Sequence, residues 1–168
     1  MLRLLDPDRD GPDLHAIFGD EESCRYMTGP AFASVAETVS NLKTWNEGTE
    51  DTTWAIVERE DGAALGRITL IPRGPAVFET GIMVCPEARG RGLAHAGLAQ
   101  ALDIAFENHD ARRIYADIDP DNTPSLRLFE RLGFRQEGLL RAAWKTHIGV
   151  RDSVIMGLID RDPRPWKA

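Results

Sequence analysis

The sequence predicts an α+β fold: a mixed, mostly antiparallel sheet of about seven strands, with helices packed on it and one strand–helix–strand crossover at its centre. Three observations carry this. Two segments that read as strands flank Asp61-Gly62, a strong hairpin-turn signal. Helical periodicity, with apolar residues every three or four positions, recurs in at least three other stretches. An apolar, strand-like run (Ile82-Met83-Val84-Cys85-Pro86) leads through a glycine-rich turn into a long helix, and a further strand follows. That order suggests parallel pairing of the two strands that flank the helix.

The elements follow in order. Met1 to Leu5 reads as a first strand, and Asp10 to Met27 holds one or two short helices with Leu14, Ile17 and Phe18 on one face. Ser34-Val35-Ala36-Glu37 fits a capping box before a helix reaching about Asn46, with Val35, Val39, Leu42 and Trp45 on its apolar side. Thr52 to Glu58 and Leu65 to Ile71 form the hairpin; Pro72-Arg73-Gly74-Pro75 turns the chain into a third meander strand, Val77 to Val84. The next helix runs to about Asn108, its buried stripe made by Leu98, Leu102, Ala105 and Phe106. Arg113 to Asp119 is a strand. Thr123 is placed to cap a helix with Pro124 at its first position; Leu126, Phe129 and Leu132 line its inner face, and Gly133 stops it. Phe134 to Leu140 and His147 to Ile159 are the last strands. The expected organisation is a single domain over 1–161 and a loose tail over 162–168, where two prolines and charge follow the last strand.

A chain of 168 residues, 42% hydrophobic and 28% charged, has the mix of a soluble globular protein. Its net charge of −7 argues against nucleic acid as a partner, which a basic footprint would announce. No apolar run approaches the ~20 residues that cross a bilayer, and charge enters the first residues too early for a secretory signal. Cys24 and Cys85 are far apart and form no CxxC pattern, which fits a reducing, cytoplasmic setting. His15, His95, His109 and His147 show no metal-ligand spacing, so no metal is expected. Cys85 beside Pro86 has no histidine placed to activate it and reads as a buried strand cysteine. The acidic run Glu47 to Asp51, with Glu58, Glu60 and Asp61, reads as a solvated loop and hairpin, the other reading being a surface that draws cationic substrates.

The turn Arg89-Gly90-Arg91-Gly92-Leu93-Ala94 is the chain's most informative segment. Glycines let backbone approach a ligand closely. The first N–H groups of a helix lack partners within it and point outward, and the helix dipole favours an anion there. Arginine adds permanently charged, bidentate donors. The turn is therefore a candidate phosphate or pyrophosphate cradle. Neither GxGxxG nor GxxxxGK[ST] occurs, so Rossmann and P-loop nucleotide sites are unsupported.

Arg89-x-x-Gly92-x-Ala94 after Val84-x-Pro86 is followed about thirty residues later by Asn122-x-x-Ser125-x-x-x-Phe129-x-x-x-Gly133-Phe134. This pair of motifs resembles the GNAT superfamily of acetyl-CoA-dependent N-acetyltransferases. The resemblance is fullest from Val77 to Ile159. Gly133 to Arg141 and Arg151-Asp152-Ser153-Val154, with Arg25-Tyr26-Met27, are similar to the branch that acetylates ribosomal-protein N-termini (the Rim type). The resemblance implies a three-layer GNAT-type fold with helices on both faces of the sheet. It implies that backbone groups of Ile82 and Val84 bond the pantetheine arm like an added strand. The N–H groups of Arg89, Gly90, Arg91, Gly92, Leu93 and Ala94 would ring the pyrophosphate, with Ala94 small for close approach.

Asn122 would bond the pantetheine arm; as a residue type it is equally a turn former before a helix. An amine attacking a thioester needs to be neutral, its oxyanion needs a donor, and the leaving thiolate gains from a proton. The N–H of Val84 is the oxyanion candidate. Family members place an acidic tyrosine where this chain has Phe129, which has no proton to give. The resemblance to the ribosomal-protein branch, which has a serine at this position for that part, implies Ser125 as the candidate acid and as a coenzyme-binding residue; its other reading is a first-turn helix serine. Glu79 is the candidate base, its other reading an exposed strand carboxylate, with Asp117 and Asp119 as alternatives. Tyr115 and Tyr26 are candidates to shape the acceptor pocket or stand as reserve acids, the other reading of at least one being a core or rim aromatic. The implied function is transfer of acetyl from acetyl-CoA, with no metal, to a primary amine, either a protein N-terminus or a small molecule, by a cytoplasmic monomer or homodimer that touches neither nucleic acid nor membrane. The rival is a non-catalytic acyl-CoA-binding or regulatory module.

Overall fold

A computed structural model describes residues 1–167 of the chain. Its seven strands are β1 (Leu2–Leu4), β2 (Thr52–Ile56), β3 (Gly66–Pro72), β4 (Val77–Val84), β5 (Arg113–Ile118), β6 (Arg135–Thr146) and β7 (Gly149–Ile159). They form one sheet in the order β1-β2-β3-β4-β5-β7-β6. Neighbours are antiparallel except β4 and β5, which run parallel around the central crossover, as the strand–helix–strand order requires. The α-helices are α1 (Pro7–Phe18), α2 (Glu21–Cys24), α3 (Val35–Asn46), α4 (Leu93–Asn108) and α5 (Thr123–Arg131).

Strand alternation divides the side chains between two cores. One face carries Trp54, Ile56, Ile68, Leu70, Ile114 and Met156 and is covered by α4 and α5 through Leu98, Leu102 and Phe129. The other carries Ala55 and Val57 and is covered by α1 and α3 through Leu14, Ile17, Phe18 and Leu42. The result is three layers, helix on sheet on helix. Burial of each large core side chain contributes roughly 1.5–3 kcal/mol. The second face is covered only over the first half of the sheet. Across β5 and β7 it remains open, and the pocket described below lies there.

The parallel ladder is short. Its rungs are Val77↔Arg113, Phe78↔Ile114 and Glu79↔Tyr115, and beyond them β4 and β5 part. The backbone of β4 from Thr80 to Val84 therefore keeps one edge unpaired.

Three expectations need correction. Asn122, rather than Thr123, caps α5: its Oδ1 accepts from the Ser125 N–H at 3.3 Å, which puts Pro124 at the second helical position. Asparagine is the stronger cap because its carbonyl reaches the third N–H with less crowding than a β-branched hydroxyl. Second, β6 does not end at Leu140 but runs to Thr146, with register shifts between Gln136 and Gly138 and between Leu140 and Trp144. It is the edge strand and is exposed on both sides, so no apolar alternation marks it. Third, residues 162–167 of the tail expected to be loose are packed, residue 168 lying outside the described residues. Trp166 rests on the α4 core and its indole N–H donates to Asp103 Oδ1 at 3.0 Å. The Arg164 guanidinium stands 4.3 Å from the Phe106 ring centroid, and Lys167 pairs with Asp103 and Glu107. Apolar burial of one tryptophan outweighs the turn chemistry of the prolines around it.

Candidate active site

The helix starts set one segment apart. Asp6, Asp20, Ser34 and Asn122 each accept from a backbone N–H at the start of α1, α2, α3 and α5. The Ser34 cap comes with Glu37 reaching back to the Ala33 N–H, one residue earlier than a strict capping box. Helix α4 begins at Gly92 with no side-chain cap, and its first backbone bond inside the helix is from the Ala96 N–H to Gly92 O. The N–H groups of Leu93, Ala94 and His95 are left pointing out of the helix end. Gly90 (φ 74°) and Gly92 (φ 78°) hold left-handed conformations, and a side chain at either would project into open space. This is a backbone nest suited to an anion.

The strand before it presents the right edge. In a ladder the N–H and C=O of one residue face the same neighbour. The Cys85 N–H donates to Leu65 O at 2.9 Å, so odd-numbered residues of β4 face β3 and even-numbered ones face the gap. Ile82 and Val84 thus turn their backbone groups to the opening. Arg89 Nε donates to Val84 O at 3.2 Å from that side.

Both arginines of the turn are held by protein groups. Arg89 Nη2 donates to Ser23 Oγ at 2.5 Å, and that hydroxyl donates to Asp20 Oδ2. These Ser23 donors hold the Asp20 carboxyl below its ordinary range. Arg91 pairs with Glu58, which corrects the reading of Glu58 as a merely solvated hairpin charge. Cys85 is buried, and burial pushes its thiol up to about 12, which leaves it protonated and unreactive.

On the sheet face left open, a cavity of about 220 Å³ lies where β4 and β5 part. Its walls include Tyr26, Glu79, Asp117, Asp119, Trp144, Arg151 and Asp152. Glu79 Oε2 accepts from Arg73 Nε at 2.8 Å and from the Tyr115 hydroxyl at 3.1 Å. Burial raises the Tyr115 phenol above its ordinary value, so it remains a proton donor to Glu79 across neutral pH. Arg151 grips Asp119 with two bonds, at 2.7 and 2.8 Å, and this holds the Asp119 carboxyl below its usual range. Asp117 accepts from neutral donors only, the Trp144 indole N–H at 3.0 Å and the Ser153 hydroxyl. Asp152 accepts the Ala142 N–H at 2.7 Å and so fixes the bulge in β6. His147, at the tip of the β6–β7 hairpin, bonds Met27 O at 3.2 Å and ties the hairpin to the loop that carries Tyr26. Four carboxylates against the two guanidinium groups of Arg73 and Arg151 leave the cavity wall electronegative.

Glu79, Tyr26, Asp117 and Asp119 are therefore brought together. Ser125 is not among them: it sits in the first turn of α5, on the other side of the sheet, so acid and base candidates approach the parted strands from opposite faces. Phe129 is 1% exposed and meets Phe134 edge-on at 4.9 Å, a core residue with no polar atom for the cleft. Trp144, Thr146 and Asp152 were missed, because they lie on a bulged edge strand and its partner; Gly149 (φ 116°), which opens β7 just after the hairpin turn, was the available signal.

Comparison with known proteins gives this geometry a family. Residues 1–135 match the model of the acetyltransferase (GNAT) domain. The N-acetyltransferase 9-like protein of Caenorhabditis briggsae is 30% identical over 130 residues, which span 70% of this chain and 66% of that one. The uncharacterized N-acetyltransferase p20 of Bacillus licheniformis is 26% identical over 91% of this chain and 89% of its own. Among solved structures, spermidine N-acetyltransferase from Vibrio cholerae, in complex with CoA and spermine, superposes with a TM-score of 0.80 at 21% identity, covering 95% and 94% of the two chains. GNAT acetyltransferases use acetyl-CoA. With a family model matching four fifths of its length and a seven-stranded sheet parted in the middle, this chain belongs to the GNAT acetyltransferase family.

Proposed function

We propose that the protein transfers acetyl from acetyl-CoA to a primary amine by direct attack within a ternary complex. The observation that carries this reading is the uncapped start of α4 behind the open edge of β4. The residues present fit the donor. The nest over Arg89–Ala94 takes the pyrophosphate, with Arg89 and Arg91 exchanging their present partners for it. Ile82 and Val84 extend the pantetheine arm along β4, and the Asn122 amide, its oxygen already spent on capping, offers N–H donors to the arm. The thioester then lies in the gap between strands.

The acceptor enters from the acidic cavity. It arrives as an ammonium ion, attracted by Asp117 and Asp152, whose charges no arginine neutralises. Glu79, through water, takes its proton. The amine nitrogen bonds to the thioester carbon, the oxyanion is held by the Val84 N–H, and the carbon–sulfur bond breaks. Ser125 gives the thiolate its proton and regains one from the nitrogen side through solvent. Acetylamide and free thiol result, with one proton released to water. The electronegative wall supports a small cationic amine as acceptor, and the Vibrio cholerae protein of similar fold is a spermidine N-acetyltransferase. The similarity of Gly133–Arg141 to the ribosomal-protein branch supports a peptide α-amine as the second class to test.

Free-thiol release from acetyl-CoA, measured with polyamines, other small amines and N-terminal peptides, tests this. Release stimulated by a cationic amine is expected. Tight acetyl-CoA binding without release for any acceptor would replace the proposal with the binding-module reading, which the proton-free Phe129 favours.

A further inference from the structure

Arg67 has no task in the reading above. It lies on β3, and strand alternation puts it on the same sheet face as Thr69, Gly81 and Glu79. Its Nη2 donates to Thr69 Oγ1 at 2.6 Å, so the side chain leans along β3 toward Thr69. The guanidinium carbon stands 5.7 Å from the Phe18 ring centroid and 5.2 Å from that of Trp45, so two aromatic rings border it.

This arginine differs from those around the cleft. Arg73, Arg91 and Arg151 each have a carboxylate partner. Among the described residues no carboxylate pairs with Arg67, and its Nε and Nη1 groups have no hydrogen-bond partner. Asp51 attracts it without reaching ion-pair distance. Burial pulls the guanidinium down to about 10, which leaves it charged at neutral pH. A desolvated charge without a paired counter-charge costs stability, and a neutral side chain would pack against the same rings at less cost. Packing alone gives no reason for a cation here.

The ground beside it is open. Gly81 sits opposite Thr69 in the β3–β4 ladder. A Cβ at Gly81 would meet nothing within 4 Å, although its backbone lies outside the left-handed region that favours glycine. Glu79 follows about 7 Å along the strand, and there the open ground meets the acidic cavity with Asp117 and Asp152. The surface is thus cationic at the Arg67 end, bare over Gly81 and anionic beyond Glu79. A simple polyamine would be repelled at the first end; a molecule carrying an acid beside its amine matches both.

We infer that Arg67 binds a carboxylate of the acceptor, and that the acceptor is an α-amino acid: its carboxylate on Arg67, its α-amine over Gly81 toward Glu79, and a basic side chain toward Asp117 and Asp152. The inference rests on the acetyl transfer proposed above and narrows its acceptor class. The nitrogen–carbon bond forms on the α-amine as the carbon–sulfur bond breaks, so the products are an Nα-acetylamino acid and free thiol, with one proton released to water.

Free-thiol release with three acceptors that differ only at the acid tests it: free arginine, its amide, and agmatine, which lacks the carboxyl group. Each has one amine to acetylate. The wild type should use free arginine about tenfold or more better in kcat/KM than the other two, as expected for charge-assisted bonds to a carboxylate. Arg67→Gln should remove that preference, with the change falling on KM for free arginine. Arg67→Met, whose unbranched stem packs against the same rings, should do the same and serves if the glutamine variant does not fold. A merely structural role would lower the turnover of all three acceptors in equal proportion, and that result overturns the inference. A wild type that uses agmatine or the amide as well as free arginine, or that uses polyamines and none of the three, also overturns it and leaves acetyl transfer in place. No release with any amine or peptide overturns both.

Discussion

The turn that opens α4 and the cavity under the β6–β7 hairpin are built by opposite means. The turn is six consecutive residues, and its working groups are backbone N–H groups freed by two left-handed glycines. The cavity is made of side chains from β4, β5, β6, β7 and the loop after α2, and residues as far apart in sequence as Tyr26 and Asp152 share it. The first kind of site tolerates almost any change outside itself; the second depends on strand register, because a one-residue slip turns Asp117 or Arg151 to the other face. This contrast explains why the donor can be common to a family while the acceptor varies.

The largest expected effect strikes the turn. Gly92→Glu forces a side chain into a left-handed conformation, at about 1–2 kcal/mol, and brings a carboxylate to the anion nest. Coenzyme A affinity should fall roughly 100-fold or more with the sheet intact by circular dichroism; undiminished affinity would refute the placement. Next in size is the proton chemistry proposed for the two sides of the parted strands. Glu79→Gln should lower kcat about 100-fold and Ser125→Ala about tenfold, both with unchanged coenzyme A affinity. If either variant loses donor affinity in step with rate, the division between the two regions fails.

Arg151→Gln tests the cavity's scaffold. It leaves Asp119, 7% exposed, without its cation. Because pairing depresses the Asp119 pKa, the stabilisation is present above the ordinary value of about 4 and is lost as pH falls through the lower folded value. The variant should melt a few degrees below wild type at pH 7, and the difference should close in acid. A gap that does not narrow at all as pH falls below the ordinary carboxylate range would mean the pair is not its source. The smallest effect is expected from Glu58→Gln. Removing the partner of Arg91 frees that guanidinium for the donor, and coenzyme A binding should tighten about two- to fivefold at low salt, as befits an exposed ion pair. Weaker binding would show that Glu58 positions Arg91 rather than competing for it.

Much of the fold was legible because its signals are local. Val77–Val84 and the helix ending at Asn108 follow from periodicity and from glycine and proline punctuation. The long edge strand was not legible, since exposure on both faces removes the alternation that marks a strand. The packed tail was not either: Trp166 is ordered by α4, some sixty residues earlier in the chain, and nothing near it in sequence says so. The conformation of Arg89–Ala94 and the parity of Ile82 and Val84 are local, because helix starts and strand parity follow from neighbouring residues; their binding of coenzyme A is the proposal. The partners of Arg91 and Glu79 could not, because ion pairs across strands depend on register.

The sequence by itself determined the class of fold, the parallel crossover and the anion nest, each of which rests on the conformational preferences of a few adjacent residues. The tertiary structure alone decided that β4 and β5 part after three rungs, that Glu79 and Ser125 approach from opposite faces, and that Asp117 and Asp152 are the cavity's carboxylates without an arginine. Those are relations between distant segments, fixed only when two cores pack against one sheet and each strand takes its register.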